Sequence, residues 1–273
     1  MSEQPKIKKM IKFTNQFVSI SRFLLFTLFL FSCYTQVWAQ DSTKVKKWHF
    51  LAEPYLMFPY MDGETGIDNA LILPVEANPS DIFSHLQMAA MLYFEARTGK
   101  WAITTDLVYM NLKQDVTSGK LISSGKLNVK QTIWEVAGFY SIFSFWEVGV
   151  GGRLNYLQTE HEVHINTLPI GNTKTETGNH NETWFDPVIK TRFLADVKDK
   201  WLFQLIGDVG GFGVGSKLTW QVQGYAGYRF CKLFQLSAGY RYLSTDYISG
   251  EEPKEFTFNM SEFGPVIRFG FNF

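Results

Sequence analysis

The sequence predicts an all-β fold, a single antiparallel transmembrane β-barrel of about ten strands, with eight as the alternative count. Three observations lead there. The chain ends on "EFGPVIRFGFNF", where Phe263, Pro265, Ile267, Phe269, Phe271 and Phe273 share one parity and Glu262, Gly264, Val266, Arg268, Gly270 and Asn272 the other. That is the period-two pattern of a strand with one apolar face. The same alternation recurs upstream, and the connections between the alternating segments are short and long by turns.

The elements follow in order. Lys6, Lys8, Lys9, Lys12 and Arg22 precede an apolar run from Phe23 to Phe31, and Val37-Trp38-Ala39 supplies small residues at the −3 and −1 positions. Residues 1–39 therefore read as an export signal cleaved after Ala39, with Met1 or Met10 as the start. A retained membrane helix is the alternative, but Phe23 to Trp38 falls short of the ~20 apolar residues a span needs. A lipoprotein signal at Leu30-Phe31-Ser32-Cys33 is another, weakened by the bulky Phe31. Residues 40–47 form a periplasmic N-terminal segment, and residues 48–273 form the barrel.

The barrel strands are expected at Trp48–Tyr60, Ser84–Ala96, Trp101–Leu112, Leu127–Ser141, Trp146–Gln158 and then in five segments of clear alternation. These are "WFDPVIKTRFLADV" (184–197), "WLFQLIGDV" (201–209), "TWQVQGYAGYRF" (219–230), "LFQLSAGYRYLS" (233–244) and the terminal strand. Parity switches near Lys130, which reads as a bulge or a wrong boundary. Tight turns are expected at Thr98-Gly99-Lys100, around Ile142–Ser144, at Lys198-Asp199-Lys200 and at Cys231-Lys232. Longer polar loops fill 61–83, 113–126, 159–183 and 246–255. Short turns at one end and long loops at the other describe an outer-membrane barrel. Trp48, Trp101, Trp146, Trp201 and Phe234 begin upward strands, and Tyr140, Phe230 and Phe273 end downward ones, a girdle suited to the periplasmic interface.

Composition narrows the function. The export segment holds five basic residues against Glu3, so the rest of a chain balanced at 26 and 26 is slightly acidic, which argues against nucleic acid as a partner. Only Cys231 follows Ala39, so an intramolecular disulfide and a cysteine-based zinc site are excluded. Five glycines crowd "GDVGGFGVGSKLTW" (207–220). The dinucleotide fingerprint fails there because Ser216 stands at its third glycine, and the phosphate-loop pattern fails because Gly215 is followed by Ser216-Lys217. Those glycines are expected to serve a sharp reversal and close backbone approach. His161 and His164, three apart on a strand, fall on opposite faces and make no metal site.

Strand content, the export signal, the terminal "IRFGFNF" and the "GYRYL" and "DVGGFGVGS" segments resemble small Gram-negative outer-membrane barrels of the porin-like, OmpW-like type. The resemblance covers residues 48–273 in architecture, although the closest small barrels have eight strands. It implies that the barrel-assembly machinery reads Phe269, Phe271 and Phe273 as an assembly signal, and that outer-membrane lipid is the other partner.

The inward parity gathers Glu53, Glu95, Asp106, Glu135, Glu147, Asp186, Asp208 and Glu262 against Arg153, Lys190, Arg192, Arg229, Arg241 and Arg268. A lipid-facing Arg or Lys at mid-depth costs ~2–4 kcal/mol, so these charges must face the lumen. They are expected to form interlocking ion pairs, with Arg241 reaching Asp208 across the intervening strand. The expected role is envelope structure or narrow passage of small solutes by a monomer, with no cofactor, metal or catalytic residue. The alternatives are an enzyme acting on lipid or peptide at the extracellular rim, and an adhesin or binding protein using the 159–183 loop.

Overall fold

The computed structural model describes residues 47–67, 72–116, 122–167, 172–251 and 255–273. The export segment and its cleavage position lie outside the described residues. Among those described, twelve strands and a helix follow one another: β1 (His49–Met57), β2 (Tyr60–Ile67), β3 (Ile72–Ala77), α1 (Pro79–His85), β4 (Leu86–Thr98), β5 (Trp101–Val116) and β6 (Ile122–Phe143). Then come β7 (Trp146–Thr167), β8 (Asn172–Val197), β9 (Trp201–Gly210), β10 (Leu218–Arg229), β11 (Phe234–Ser249) and β12 (Phe256–Asn272).

Ten of these strands close into one antiparallel ring, β1 and β4 to β12. The closing seam runs from Leu51↔Asn272 to Met57↔Val266. Phe50 N donates to Phe273 O at 2.8 Å and Phe273 N to Phe50 O at 3.0 Å, so the last residue is stitched into the closure. A closed ring leaves no unpaired edge in hydrocarbon, where each unmet backbone group would cost several kcal/mol.

Three of the expected loops are largely strand. β7 and β8 continue their ladder to Thr167↔Asn172, so most of 159–183 is a hairpin extension. β5 and β6 take up much of 113–126 in the same way. These segments carry Thr, Asn, Lys and Glu without apolar alternation, so periodicity could not reveal them. The 61–83 segment holds the β2–β3 hairpin, which extends the sheet from Phe263↔Tyr60 to Phe256↔Ile67, and then α1. The start of α1 is a capping box: Asp81 N donates to Asn78 Oδ1 at 3.1 Å and Asn78 N to Asp81 Oδ2 at 3.3 Å, with Pro79 in the first turn.

No register break occurs at Lys130, since β6 pairs evenly with both neighbours there. The irregularities lie between Ile122 and Ser124 and between Ser141 and Phe143. Val129, Ile133 and Glu135 all share the inward parity, so what changes near Lys130 is lumen chemistry, not chain geometry.

The glycine-rich stretch is the reversal between β9 and β10. Gly211 and Gly213 sit at φ 85° and 75°, which glycine adopts without strain. A Cβ on Gly210 would strike Pro187 O, so the turn lies directly against β8. β9 and β10 stop low, and β8 and β11, not neighbours in the ladder, meet above them: Trp184 and Tyr247 stack at 4.1 Å between ring centroids.

Outside, aromatics mark two levels. Trp48, Trp101, Trp201, Phe230 and Phe273 are exposed around the short-turn end. About ten residues up the strands, Trp220, Tyr242, Phe263 and Tyr60 stack in a row at 4.9, 5.4 and 5.5 Å. The wall between is apolar and open to its surroundings, as at Ile103, Val150, Ile189 and Leu205. Leu205→Arg should cost ~2–4 kcal/mol in reversible urea unfolding from lipid vesicles, the penalty for a cation on the lipid face. Gln204→Arg, one residue away and facing the lumen, should cost less than half as much; equal costs would invert the assignment of the two faces.

Candidate functional site

The ladder register brings the charges together. Glu135 on β6 stands opposite Arg153 on β7, Glu147 on β7 opposite Arg192 on β8, and Lys190 on β8 opposite Asp208 on β9. Directly opposed side chains on one face lie close enough to bond, so register alone creates these pairs. Arg153 reaches Glu135 at 2.6 Å and Asp208 at 2.8 Å, and Lys190 reaches the same two carboxylates at 2.5 and 2.7 Å. Two cations thus bridge two anions in a closed cycle. Thr219 Oγ1 accepts from Arg153 at 3.0 Å, and Gln221 Nε2 donates to Asp208 at 2.9 Å.

A second cycle lies nearer the periplasm. Arg192 joins Glu95 at 2.6 Å and Glu147 at 2.5 Å, and Arg97 joins the same pair at 2.8 and 2.5 Å. Tyr93 donates to Glu95 at 2.7 Å, and Ser141 to Glu147 at 2.8 Å. Two single pairs complete the layer. Arg241 meets Asp106 at 3.2 Å and Tyr55 Oη at 3.1 Å. Arg268 meets Glu53 at 3.4 Å and Gln223 at 3.0 Å, with its guanidinium 3.8 Å from the Tyr225 ring centroid and 5.0 and 5.4 Å from those of Tyr93 and Tyr55. Each group balances its own charge, and the aromatic faces support Arg268 where carboxylates do not.

Asp186 and Glu262 have no cationic partner among the described residues. Asp186 accepts from Ser216 N at 2.6 Å, Ser216 Oγ at 2.9 Å and Asn155 Nδ2 at 3.0 Å, which ties the glycine-rich turn to β8. Glu262 accepts from Gln131 Nε2.

Two expected placements differ. Arg229 faces inward but at the periplasmic rim, where it pairs with the exposed Asp196 at 3.0 Å. It is the last residue of β10, so its parity carries it to the mouth and not into the layer. Arg241 binds Asp106, not Asp208, whose oxygens are taken by Arg153, Lys190 and Gln221. Arg97 was missing from the expected set because the second strand was ended at Ala96. It shares the parity of Glu95, which was the available signal. The side chains of His161 and His164 lie outside those described, and no three metal-ligating side chains converge among the described residues.

The layer divides the lumen. Below it a vestibule of about 440 Å³ opens at the short-turn end, lined by Leu194, Leu202, Gln204, Gln235 and Arg268 among others. Within it, the space among Asp106, Glu135, Lys190, Arg192 and Arg268 is about 10 Å³, roughly what a single water requires. Above it, Leu157, Trp184, Tyr247, Phe256, Phe258 and Met260 pack as an apolar cluster facing inward. Tyr247 donates to Glu182 Oε2 at 3.1 Å, and burial pushes its phenol above the ordinary value, so it remains a donor.

No protein-family model matches the chain, and no curated protein matches it. Solved structures resemble it in architecture. The CymD monoaromatic hydrocarbon channel superposes with a TM-score of 0.36 at 10% identity, over 82% of this chain and 87% of that one. A FadL homologue of Pseudomonas aeruginosa gives 0.32 at 7%, over 83% and 90%. Ail, the attachment invasion locus protein of Yersinia pestis, gives 0.32 at 7%, over 84% and 100%. These likenesses extend to barrel architecture and no further. What decides the class is the inverted wall: buried charge inside, exposed apolar side chains outside, aromatics at both levels. The chain is an outer-membrane β-barrel protein.

Removing one member of a closed cycle strands its partners. Arg153→Met leaves Glu135 and Asp208 with Lys190 alone and should destabilise the barrel by about 3–5 kcal/mol. Arg153→Met combined with Glu135→Met restores balance and should cost less than the single change in urea unfolding from vesicles. A double variant as unstable as the sum of its singles would show that packing, not charge, dominates there.

Proposed function

We propose that the protein is a sealed or nearly sealed barrel of the Gram-negative outer membrane, serving envelope structure with at most narrow passage of small solutes. The observation that carries this reading is the ionic layer, whose balanced pairs pack with the inward Tyr55, Val108, Ile133 and Leu243 and leave room among Asp106, Glu135, Lys190, Arg192 and Arg268 for about one water. A hydrated solute would have to displace buried pairs that no water replaces, and breaking one such pair costs several kcal/mol. The protein works as a monomer without cofactor or catalytic residue. Residues 1–39 export it, and the barrel-assembly machinery recognises Phe269, Phe271 and Phe273.

One observation favours a second reading, a binding role on the outer surface. β7 and β8 run 22 and 26 residues, against the ~9–11 that suffice to span a membrane. Planar-bilayer recording addresses the first reading. Wild type should conduct poorly, and Arg241→Ala should raise conductance while lowering stability, since it opens the layer and leaves Asp106 unpaired. A large wild-type conductance unchanged by Arg241→Ala would replace the sealed barrel with an open pore. Removing residues 160–181 should leave the wild-type recording unchanged, because that extension lies above the layer.

A further inference from the structure

Three upward strands begin with the same dipeptide: Lys47-Trp48, Lys100-Trp101 and Lys200-Trp201. Each tryptophan is exposed on the outer face of the periplasmic girdle, at 51%, 57% and 51%. Each lysine is exposed, lies one residue further from the membrane centre, and makes no ion pair among the described residues. Lys198 and Lys232 are exposed in two periplasmic turns and likewise make no ion pair among the described residues. Against these five cations stands a single unpaired carboxylate in the described turns, Asp199, because Asp196 is taken by Arg229. The opposite end mixes signs: Glu64, Glu76, Asp81 and Asp246 lie at or beyond the upper aromatic row beside Lys113 and Lys217.

We infer that the Lys-Trp dipeptides form a ring of binding sites for anionic phospholipid headgroups of the inner leaflet. An amphipathic tryptophan settles where headgroup meets hydrocarbon. Each lysine lies outside its strand, in the turn or segment that leads to the tryptophan, so its ammonium stands on the headgroup side of the ring. Lys100 also rests over the Tyr140 ring at 5.8 Å, which holds its charge beside the girdle and away from bulk water. The sites are spread around the barrel on β1, β5 and β9, so they match a shell of separate lipid molecules better than one compact acidic protein. The net positive turns also set the sign of lipid selected, since zwitterionic headgroups offer the same phosphate without net attraction.

The test uses spin-labelled lipids with the refolded barrel in phosphatidylcholine vesicles, reading the motionally restricted fraction by electron spin resonance. Wild type should prefer phosphatidylglycerol over phosphatidylcholine by about fivefold, the effect of roughly one basic residue near an anionic surface. The preference should vanish in 1 M salt, where the screening length falls to ~3 Å. Lys47→Gln combined with Lys100→Gln and Lys200→Gln should abolish it while heat-modifiable mobility and β-sheet circular dichroism stay unchanged. Lys113→Gln with Lys217→Gln, at the other end, should leave it intact. A wild type without preference, a preference that survives the triple change, or one lost in the Lys113/Lys217 variant would each overturn the inference. The salt response of wild type reports even if the triple variant folds poorly.

Discussion

Charge confined to a narrow lumen must be met by opposite charge or by hydrogen-bond donors, and that requirement organises this barrel from the inside. A strand that crosses lipid can place a charge only on its inward parity. Ten strands leave little room beyond the side chains themselves. The backbone register then determines which charges can meet. Register in the β6–β7 and β8–β9 ladders sets Glu135 opposite Arg153 and Lys190 opposite Asp208, and the long Arg153 and Lys190 side chains reach across a strand to join the two pairs into a cycle. A shift of one residue in either of those ladders would turn a cation to lipid and an apolar side chain to the layer. The ion pairs therefore act on specificity of register.

The barrel obeys two opposite burial rules along its length. Between the aromatic rows it is inverted, with Arg153, Asp186 and Arg192 fully shielded while Val150 and Ile189 stand exposed. Above the upper row, where water replaces lipid, the usual order returns: Trp184, Tyr247, Phe256 and Phe258 turn inward and pack. The short β9–β10 hairpin marks the change. Its glycines let the chain reverse against β8, Ser216 locks onto Asp186, and β8 meets β11 over the top through side chains alone. The same wall thus passes from an ionic interior to an apolar one within a few residues.

This reversal explains what could be read from the chain and what could not. Alternation in "VIRFGFNF" and "TWQVQGYAGYRF" exposes the lipid face, because lipid tolerates little else, and ten ring strands follow from it. The extensions of β7 and β8 carry no such imprint, and polar residues at 159–183 resemble a loop. Asn78-Pro79-Ser80-Asp81 did carry a helix-start signature that alternation alone passes over. Arg97 fell outside the expected layer through a strand boundary one residue short. The partner of Arg241 could not be found by counting from turns, since level across a tilted sheet depends on register, which sequence does not display.

On the proposed function, the ionic layer is a partition between the periplasmic vestibule and the rest of the lumen. The most direct measurement is cysteine accessibility in a Cys231→Ser background, with a charged, membrane-impermeant thiol reagent applied from the short-turn side. Gln204→Cys lies in the vestibule and should react readily. Gln221→Cys, at a position 1% exposed beside Asp208, should remain unlabelled in the folded barrel and react after denaturation. Comparable labelling of both positions in the folded protein would mean that water and solutes cross the layer, and the partition would not exist.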